Sequence, residues 1–219
     1  MDRAGRILFT EMENKGKSMI KNIVFDVGKV LVDFDWQGFM DTLDFPPKVY
    51  EKVASATVLS ELWNEFDRSR MSDEEILQGF LEKAPDCEAE IMRFWDNLGN
   101  CIRRYDYAHD WIRSLQAQGY KVYLLSNYPR RLYSQSIEEL SFVEEVDGAI
   151  FSYEVQATKP EPEIYEALLR KYHLDATECV FLDDNRGNII AANQLGMATI
   201  HFHTKSQAEE ELRSLGVEA

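Results

Sequence analysis

Short, continuous runs of apolar residues alternate with longer amphipathic patterns along the chain. The apolar runs lie at residues 20–27, 121–126, 149–152, 179–182 and 198–202. An uninterrupted apolar run of this length, without alternating polar residues, is typical of a strand that is covered on both faces. The pattern therefore predicts five buried strands.

Three amphipathic helical patterns separate the later runs, at residues 106–118, 160–172 and 188–195. Gly119 and Gly196 follow the first and the third of them, where C-terminal helix caps are expected. Strands that alternate with helices of this length are joined by right-handed crossovers, so we predict an α/β fold with a parallel sheet. Ligands of such sheets bind at the carboxyl ends of the strands.

The segment between the first two predicted strands, residues 28–120, is too long for a simple crossover. Within it, residues 35–106 have a helical pattern, and Ser72 with Glu75 forms a capping-box signature. We therefore predict an α-helical cap inserted into the first crossover of a three-layer α/β core. The predicted parts are an N-terminal extension at 1–18, a core at 19–34 and 107–219, and the cap at 35–106.

The charge balance narrows the set of partners. Asp and Glu number 39 against 24 Lys and Arg, which gives a formal net charge of −15. This excess argues against nucleic acid or an anionic membrane as the main partner, although a locally positive pocket still allows a small anionic substrate. The three cysteines, Cys87, Cys101 and Cys179, have no metal-type spacing. We interpret them as reduced thiols of a cytoplasmic protein.

Polar side chains mark the ends of four successive predicted strands or the loops just after them. Each is common in turns and helix caps by itself, and only their ordered conjunction at one sheet edge suggests a site. The four segments are Asp26, Ser126-Asn127, Lys159-Pro160 and Asp183-Asp184. Because the carboxyl ends of parallel strands share one edge, we expect these side chains to converge.

Three of these residues, Asp26, Asp183 and Asp184, are carboxylates. They offer the hard oxygen ligands that Mg²⁺ prefers, and without a cation they would repel one another. A carboxylate can also attack phosphorus and form an aspartyl-phosphate. Lys159 can screen the shared negative charge, and Ser126 with Asn127 can hold the remaining phosphate oxygens.

In this order, the segments FDVGKVLVDFD, LLSN, TKPEPEIY and FLDDNRGN resemble the four motifs of the haloacid dehalogenase-like hydrolase superfamily. The resemblance covers residues 20–203 and implies a Rossmann-like core, an inserted helical cap, Mg²⁺ and an aspartyl-phosphate mechanism. By this resemblance Asp26 is the nucleophile and a metal ligand, together with the backbone carbonyl of Gly28. Asp184 is expected to bind the metal directly, with Asp183 beside it or acting through water.

The resemblance also assigns the remaining polar residues. Ser126 and Asn127 are expected to bind phosphate, and Lys159 is the lysine of the third motif. Asn188 is expected to orient the acidic loop. The implied activity is hydrolysis of a small phosphorylated metabolite by a monomer or homodimer.

One position departs from the superfamily pattern. Most of its phosphatases have a second aspartate two residues after the nucleophile, and this chain has Gly28 there. Loss of general acid–base help commonly costs about 10²–10⁴-fold in rate. A glycine at this position resembles the subgroup that includes bacterial α-glucose-1-phosphate phosphatases, which suggests a hexose phosphate as substrate. Two orientations remain open for the Lys29 side chain, which could point toward the phosphate or toward solvent. Asp33 and Asp35 are expected to be caps or hinge residues.

Three other functions remain open at this point. The absence of the second aspartate at position 28 could mark a catalytically silent binding protein. Asp26 could instead hydrolyse a carbon–halogen bond. The phosphoryl group of the aspartyl-phosphate could also pass to an acceptor other than water. Of the aromatic residues, Trp63 or Phe66 is a candidate for the pocket wall. The pair His201 and His203 is expected to share a solvated face.

Overall fold

A five-stranded parallel sheet forms the centre of the protein in the computed structural model, which describes residues 19–218. The extension predicted at residues 1–18 lies outside the described residues. The described residues contain seven strands, of which β2 and β3 lie outside this sheet. They are β1 (Asn22–Phe25), β2 (Val32–Phe34), β3 (Ile102–Arg104), β4 (Lys121–Ser126), β5 (Gly148–Phe151), β6 (Cys179–Asp183) and β7 (Ala198–His201). The sheet has the order β5-β4-β1-β6-β7, and all its neighbouring strands are parallel.

Eleven α-helices lie within the described residues. They are α1 (Trp36–Asp41), α2 (Pro47–Ala56), α3 (Leu62–Arg68), α4 (Asp73–Lys83), α5 (Glu88–Asp96), α6 (Ala108–Ala117), α7 (Arg130–Gln135), α8 (Ser152–Val155), α9 (Pro162–Tyr172), α10 (Arg186–Gln194) and α11 (Lys205–Ser214). In this part of the chain, no helix is both long and apolar enough to span a bilayer.

The central strand β1 has apolar side chains on both faces, and helices cover both faces of the sheet. Phe25 packs on Trp111 of α6, with ring centroids 4.7 Å apart, on the side that also receives α11. Val24 belongs to the cluster on the opposite side, which contains Tyr165 of α9. Alternate residues of a strand point to opposite faces, so a fully apolar strand requires a helical layer on each side. The predicted α/β fold is confirmed, and the predicted sheet strands and their connecting helices begin and end within two residues of the observed ones.

The two passages between the sheet and helices α1–α5 form a second, two-stranded sheet that the sequence did not predict. β2 and β3 pair antiparallel, with Phe34 opposite Ile102, and the Asp35 backbone N–H donates to the Cys101 carbonyl at 2.8 Å. Residues 102–104, predicted as helical, are therefore a strand. We call this β2–β3 pair the stem.

The helices between the two stem strands have their own aromatic packing. Trp63, Phe66, Phe80 and Trp95 from α3, α4 and α5 contact one another with ring centroids 5.0–6.3 Å apart. The predicted capping box of α4 is confirmed, because Ser72 Oγ accepts from the N–H of the third helical residue, whose side chain bonds back to Ser72. Asp35 caps α1 through Gly38 N–H, as expected, and Asp33 lies in the stem.

The three cysteines are buried free thiols, as predicted.

Candidate active site

The polar residues predicted at the strand ends lie together at the carboxyl edge of the sheet. Asp26 follows β1, Ser126 ends β4, Asp183 ends β6, and Lys159 lies in the loop between α8 and α9. Their exposed fractions are 8%, 1%, 0% and 4%, in that order. Buried polar groups persist only where they are paired, and each of these four is held by the others.

Lys159 is the centre of this arrangement. Its Nζ lies 2.7 Å from Asp26 Oδ1 and 2.7 Å from Asp183 Oδ2. Asn127 holds the lysine backbone from both sides, because its Oδ1 accepts from Lys159 N–H at 2.7 Å and its Nδ2 donates to the Lys159 carbonyl at 3.0 Å. Although burial acts to lower it, the two carboxylates raise the pKa of Lys159, so the ammonium form is maintained.

The Asp26 carboxylate is fixed by several donors. Its Oδ1 accepts from the Val27 N–H at 2.7 Å and from Ser126 Oγ at 2.9 Å, in addition to Lys159. Burial raises the pKa of Asp26 to about 7, against the lowering effect of Lys159, and repulsion from Asp183 adds to the rise. The positive charge of Lys159 alone is therefore not enough to keep the pKa of Asp26 at its ordinary value.

The acidic loop after β6 is oriented by Asn188 and by a histidine. Asn188 Nδ2 donates to Asp183 Oδ1 at 3.1 Å and to Oδ2 at 3.0 Å, which confirms its expected role. His201 Nε2 lies 2.9 Å from the Asp184 carbonyl oxygen and donates to it. The rings of His201 and His203 are 4.3 Å apart, so they share a face as predicted, but His201 is half-buried and supports the site rather than lying in solvent.

Three carboxylates are close enough to share a cation. One oxygen each of Asp26, Asp183 and Asp184 lies within 4.8 Å of the other two. Burial, followed by repulsion from Asp183, raises the pKa of Asp184, and Lys29 opposes the rise. Hard oxygen donors and a local excess of negative charge fit Mg²⁺, because a dication would relieve the repulsion that raises both pKa values.

A cavity of about 290 Å³ opens above this edge of the sheet. Its floor is polar, and its walls come partly from the stem and from α3. The residues that line it include Asp26, Gly28, Lys29, Phe34, Trp63, Asp67, Ile102, Ser126, Asn127, Tyr128, Leu132, Lys159, Asp184 and Asn188. Lys29 is exposed, lines the cavity and is close enough to Asp184 to affect its pKa, so the orientation toward the site is the one that the structure favours.

The two aromatic candidates, and two arginines that follow the segment Ser126-Asn127, differ in where they lie. Among the described residues, Trp63 lines the cavity and Phe66 is instead fully buried behind it. Arg131 stacks on the Trp95 ring at 4.6 Å and donates to Asp96, while Arg130 lies over the ring of Tyr153. Both arginines therefore have structural partners of their own.

Asp67 is a cavity residue that the sequence reasoning missed. It lies on α3, four residues after Trp63, so the two side chains share one helix face. Burial raises the pKa of Asp67 to about 7, and repulsion from Asp26 adds to this, against the effect of Lys159. The i, i+4 relation to Trp63 was the one signal that could have found it.

Comparison with known proteins gives a family match over most of the chain. A family model described as haloacid dehalogenase-like hydrolase matches residues 20–196. The sesquiterpene phosphatase astK of Aspergillus oryzae is 28% identical over 196 residues, which are 89% of this chain and 96% of that protein. The D-ribitol-5-phosphate phosphatase of Bacteroides thetaiotaomicron is 29% identical over 212 residues, which are 89% and 97% of the two chains.

Solved structures show the same fold. The HAD family enzyme bt-2542 from Bacteroides thetaiotaomicron matches with a TM-score of 0.72 at 24% identity, over 90% of this chain and 100% of that one. Its wild-type complex with magnesium and inorganic phosphate matches with a TM-score of 0.64 at 23% identity, over 85% and 96% of the two chains.

Proposed function

The chain belongs to the haloacid dehalogenase-like hydrolase family, and on that basis we propose that it is a magnesium-dependent phosphatase acting through an aspartyl-phosphate at Asp26. The observation that carries the proposal is the position of Lys159, whose ammonium bridges the nucleophile and Asp183 in a cluster of three carboxylates. Two relatives of similar length are phosphatases, which supports the reaction class.

The reaction divides into two displacements at phosphorus. A carboxylate oxygen of Asp26 forms a bond to phosphorus while the bond from phosphorus to the ester oxygen breaks, and the leaving oxygen takes up a proton. Water then attacks the same phosphorus, the bond to Asp26 breaks, and inorganic phosphate is released. Ser126, Val27 N–H and Lys159 hold Asp26 Oδ1 in one orientation through both steps, so the nucleophile does not have to be reoriented.

The metal ligands in this proposal are Asp26, Asp184 and the carbonyl of Gly28, with Asp183 beside them. Bound Mg²⁺ would neutralise phosphate oxygens as negative charge shifts during transfer. The chain's own cation, Lys159, neutralises the nucleophile and phosphoryl group from the side of Asp183. Ser126 and Asn127 are proposed to contact the phosphate, and Asn127 also holds Lys159 in place.

The decisive variant is Asp26→Asn. It removes the nucleophile with little change in shape, so we expect phosphatase activity to fall by at least about 10³-fold while the fold is retained. Activity against a panel of phosphomonoesters would be measured with Mg²⁺ and with EDTA, and folding by circular dichroism. Asp41→Asn, at the exposed end of α1, is the matched control and should keep full activity.

Each result separates this proposal from its alternatives. Full activity in Asp26→Asn would refute it. A wild-type chain that binds phosphate with Mg²⁺ but turns over no substrate would indicate a silent binding protein. Chloride release from a 2-haloacid in EDTA would indicate the dehalogenase, for which the pairing of Asp183 with Asp184 has no use.

The substrate class has two candidates. The resemblance around Gly28 suggests a hexose phosphate. The cavity walls favour a more apolar phosphomonoester, because Phe34, Trp63, Ile102 and Leu132 face the space above the polar floor. Burial of apolar surface of this kind contributes about 25 cal/mol per Å². The two named relatives act on a sesquiterpene phosphate and on a sugar-alcohol phosphate.

A direct comparison of substrates distinguishes the two candidates. We expect kcat/KM for farnesyl monophosphate to exceed that for α-glucose 1-phosphate and ribitol 5-phosphate by about 10-fold or more, since each tenfold corresponds to about 1.4 kcal/mol. A preference for glucose 1-phosphate would instead support the hexose phosphate.

A further inference from the structure

We propose that Asp67 is the catalytic acid that protonates the leaving oxygen, a role that the residue at position 28 does not fill in this chain. This inference rests on the proposed phosphatase function. In the first displacement the proton moves from the Asp67 carboxyl to the ester oxygen as its bond to phosphorus breaks. In the second, the Asp67 carboxylate takes a proton from the attacking water, which restores the acid.

The first step of the argument is the space beside the nucleophile. Gly28 has no side chain, and apart from its two neighbours in the chain no described residue has an atom within 4 Å of a Cβ built on it. The cavity is therefore open at this position, and no residue distant in the sequence fills the place of the missing group. A proton donor has to come from another wall.

The second step is direction. In-line displacement places the leaving oxygen on the side of phosphorus opposite the nucleophile. Asp26 lies at the carboxyl edge of the sheet, so the leaving group points away from the sheet and into the cavity, whose lining includes Trp63 and Asp67 of α3. A carboxyl group on this wall is where a general acid is needed.

The third step is elimination among the ionisable groups that line the cavity within residues 19–218. Asp26 and Asp184 are assigned to the nucleophile and the metal, and the Lys159 ammonium is held between the carboxylates of Asp26 and Asp183. The Tyr128 hydroxyl is buried and bonded to Ser136 Oγ at 2.9 Å, so it is not available to the leaving group. Lys29 lies beside Asp184 on the floor loop. Asp67 is the carboxyl that remains.

The end of α3 is tied to α8 and to the loop that carries Lys159, and these contacts hold the backbone of Asp67 next to the site. Ser152 Oγ donates to the Asp67 carbonyl at 2.5 Å. The adjacent Arg68 forms an ion pair with Glu161 and donates to Thr158 Oγ1 at 3.3 Å. Thr158 and Glu161 flank Lys159 in the chain, so the end of α3 and the lysine are held by one connected set of contacts.

The protonation state agrees with this role. Burial raises the pKa of Asp67 to about 7, with a further rise from Asp26 and an opposing effect of Lys159. A carboxyl that keeps its proton near neutral pH can donate it, whereas an ordinary aspartate, with a pKa of about 3.9, is almost fully ionised there.

The test compares substrates whose leaving groups differ in how much they need protonation in order to depart. Asp67→Asn would be compared with the wild type on phenyl phosphate, whose leaving group is basic, and on 2,4-dinitrophenyl phosphate, whose leaving group departs without a proton. We expect kcat/KM, which reports the first displacement and not the common second one, to fall by about 10²–10³-fold on the first substrate and by less than about 5-fold on the second. Glu61→Gln, an exposed acid adjoining the same helix, should change neither rate.

A second variant adds a gain of function. Gly28→Asp combined with Asp67→Asn should recover at least about 10-fold of the lost rate on phenyl phosphate, because the site beside Gly28 is open. Equal losses on both substrates in Asp67→Asn, or no loss on phenyl phosphate, would overturn the assignment. If the wild type is active and depends on Asp26, either of these results would refute only the assignment of Asp67 as the acid and would leave the proposed phosphatase function standing. A wild type with no phosphatase activity would overturn both proposals.

Discussion

At the scale of single residues, the site depends on a buried cation with two anionic neighbours. The ammonium group of Lys159 is almost completely enclosed and contacts Asp26 and Asp183 at 2.7 Å each. Removing one member of such a group leaves a buried charge without compensation, which commonly costs about 3–5 kcal/mol. The lysine therefore stabilises the fold as well as the proposed reaction.

Lys159→Met tests this double role. We expect the free energy of unfolding in EDTA to fall by about 3–5 kcal/mol, because Asp26 and Asp183 lose their shared partner. Saturating Mg²⁺ should raise the melting temperature more in this variant than in the wild type, since the dication replaces part of the missing charge. Thermal unfolding with and without Mg²⁺ measures both effects.

Lys52→Met is the control for that experiment. Lys52 forms an exposed ion pair with Asp86, and exposed pairs contribute little to stability because solvent screens them. Its Mg²⁺ response should match that of the wild type. An unchanged Mg²⁺ response in Lys159→Met would show that the dication and the lysine do not compensate the same carboxylates.

The site residues at the strand ends could be predicted from the sequence because each follows a predicted strand in a fixed order along the chain. Asp26, Ser126, Lys159 and Asp183 each follow a recognisable apolar run, and parallel strands bring such positions to one edge. Asp67 could not be found in this way. It lies in a helix outside the sheet, and its approach to the site depends on how α3 packs over the strand ends.

At the scale of secondary structure, Asp147 joins three elements. It lies just before β5, its Oδ1 pairs with Lys121 Nζ at 2.7 Å, and its Oδ2 accepts from the Val122 N–H at 3.0 Å and from Gln116 Nε2 at 3.4 Å. Although burial acts to raise it, these hydrogen bonds lower the pKa of Asp147 below its usual value. The carboxylate thus holds the end of α6 and the start of β4 together.

The lowered pKa of Asp147 gives a pH-dependent contribution to stability. A group with a depressed folded-state pKa stabilises the fold above its unfolded pKa of about 3.9, and the contribution disappears as pH falls through the folded-state pKa. Asp147→Asn should therefore lower the free energy of unfolding by about 1–2 kcal/mol between pH 5 and 7, with the difference narrowing toward pH 3.5. Urea unfolding at several pH values measures it.

Asp110→Asn, an exposed aspartate on α6, is the matched control and should lower the free energy of unfolding between pH 5 and 7 by less than Asp147→Asn does. A difference between Asp147→Asn and wild type that grows as pH falls would have the opposite sign to the one argued from the hydrogen bonds.

The stem shows which elements the sequence could not reveal. Each of its strands has three residues, too few for an alternating pattern to stand out. Residues 102–104 also follow directly after a long helical segment, so the pattern there was assigned to the helices. The pairing of Val32 with Arg104 is a contact between distant parts of the chain, which local periodicity does not encode.

At the scale of the whole molecule, the charge of the chain opposes its proposed substrate. Acidic residues exceed basic ones by enough to give −15, while at the site three carboxylates nearly balance Lys29, Lys159 and a bound dication. An approaching phosphomonoester therefore meets the negative field of the rest of the surface before it meets the site.

Added salt should therefore help the substrate to bind. We expect KM for an anionic phosphomonoester to fall by about two- to fivefold between about 10 and 150 mM NaCl at saturating Mg²⁺, because salt screens long-range repulsion. The turnover number should stay constant, which provides the internal control. A KM that rises with salt would mean that attraction by the lysines and the metal outweighs the field of the surface.

The stem has a consequence for how such a protein can diversify. The chain leaves the sheet layer and returns to it through two adjacent strands, locked by the hydrogen bond between Asp35 and Cys101. Both chain connections between residues 36–101 and the sheet layer run through this pair of strands. Residues 36–101 can thus be exchanged as a block between relatives, as in a chimera, while Asp26 and Lys159 keep their places in the chain. Such an exchange replaces the cavity wall and the proposed acid Asp67 together, so substrate selectivity and leaving-group chemistry change as one unit while the nucleophile is kept.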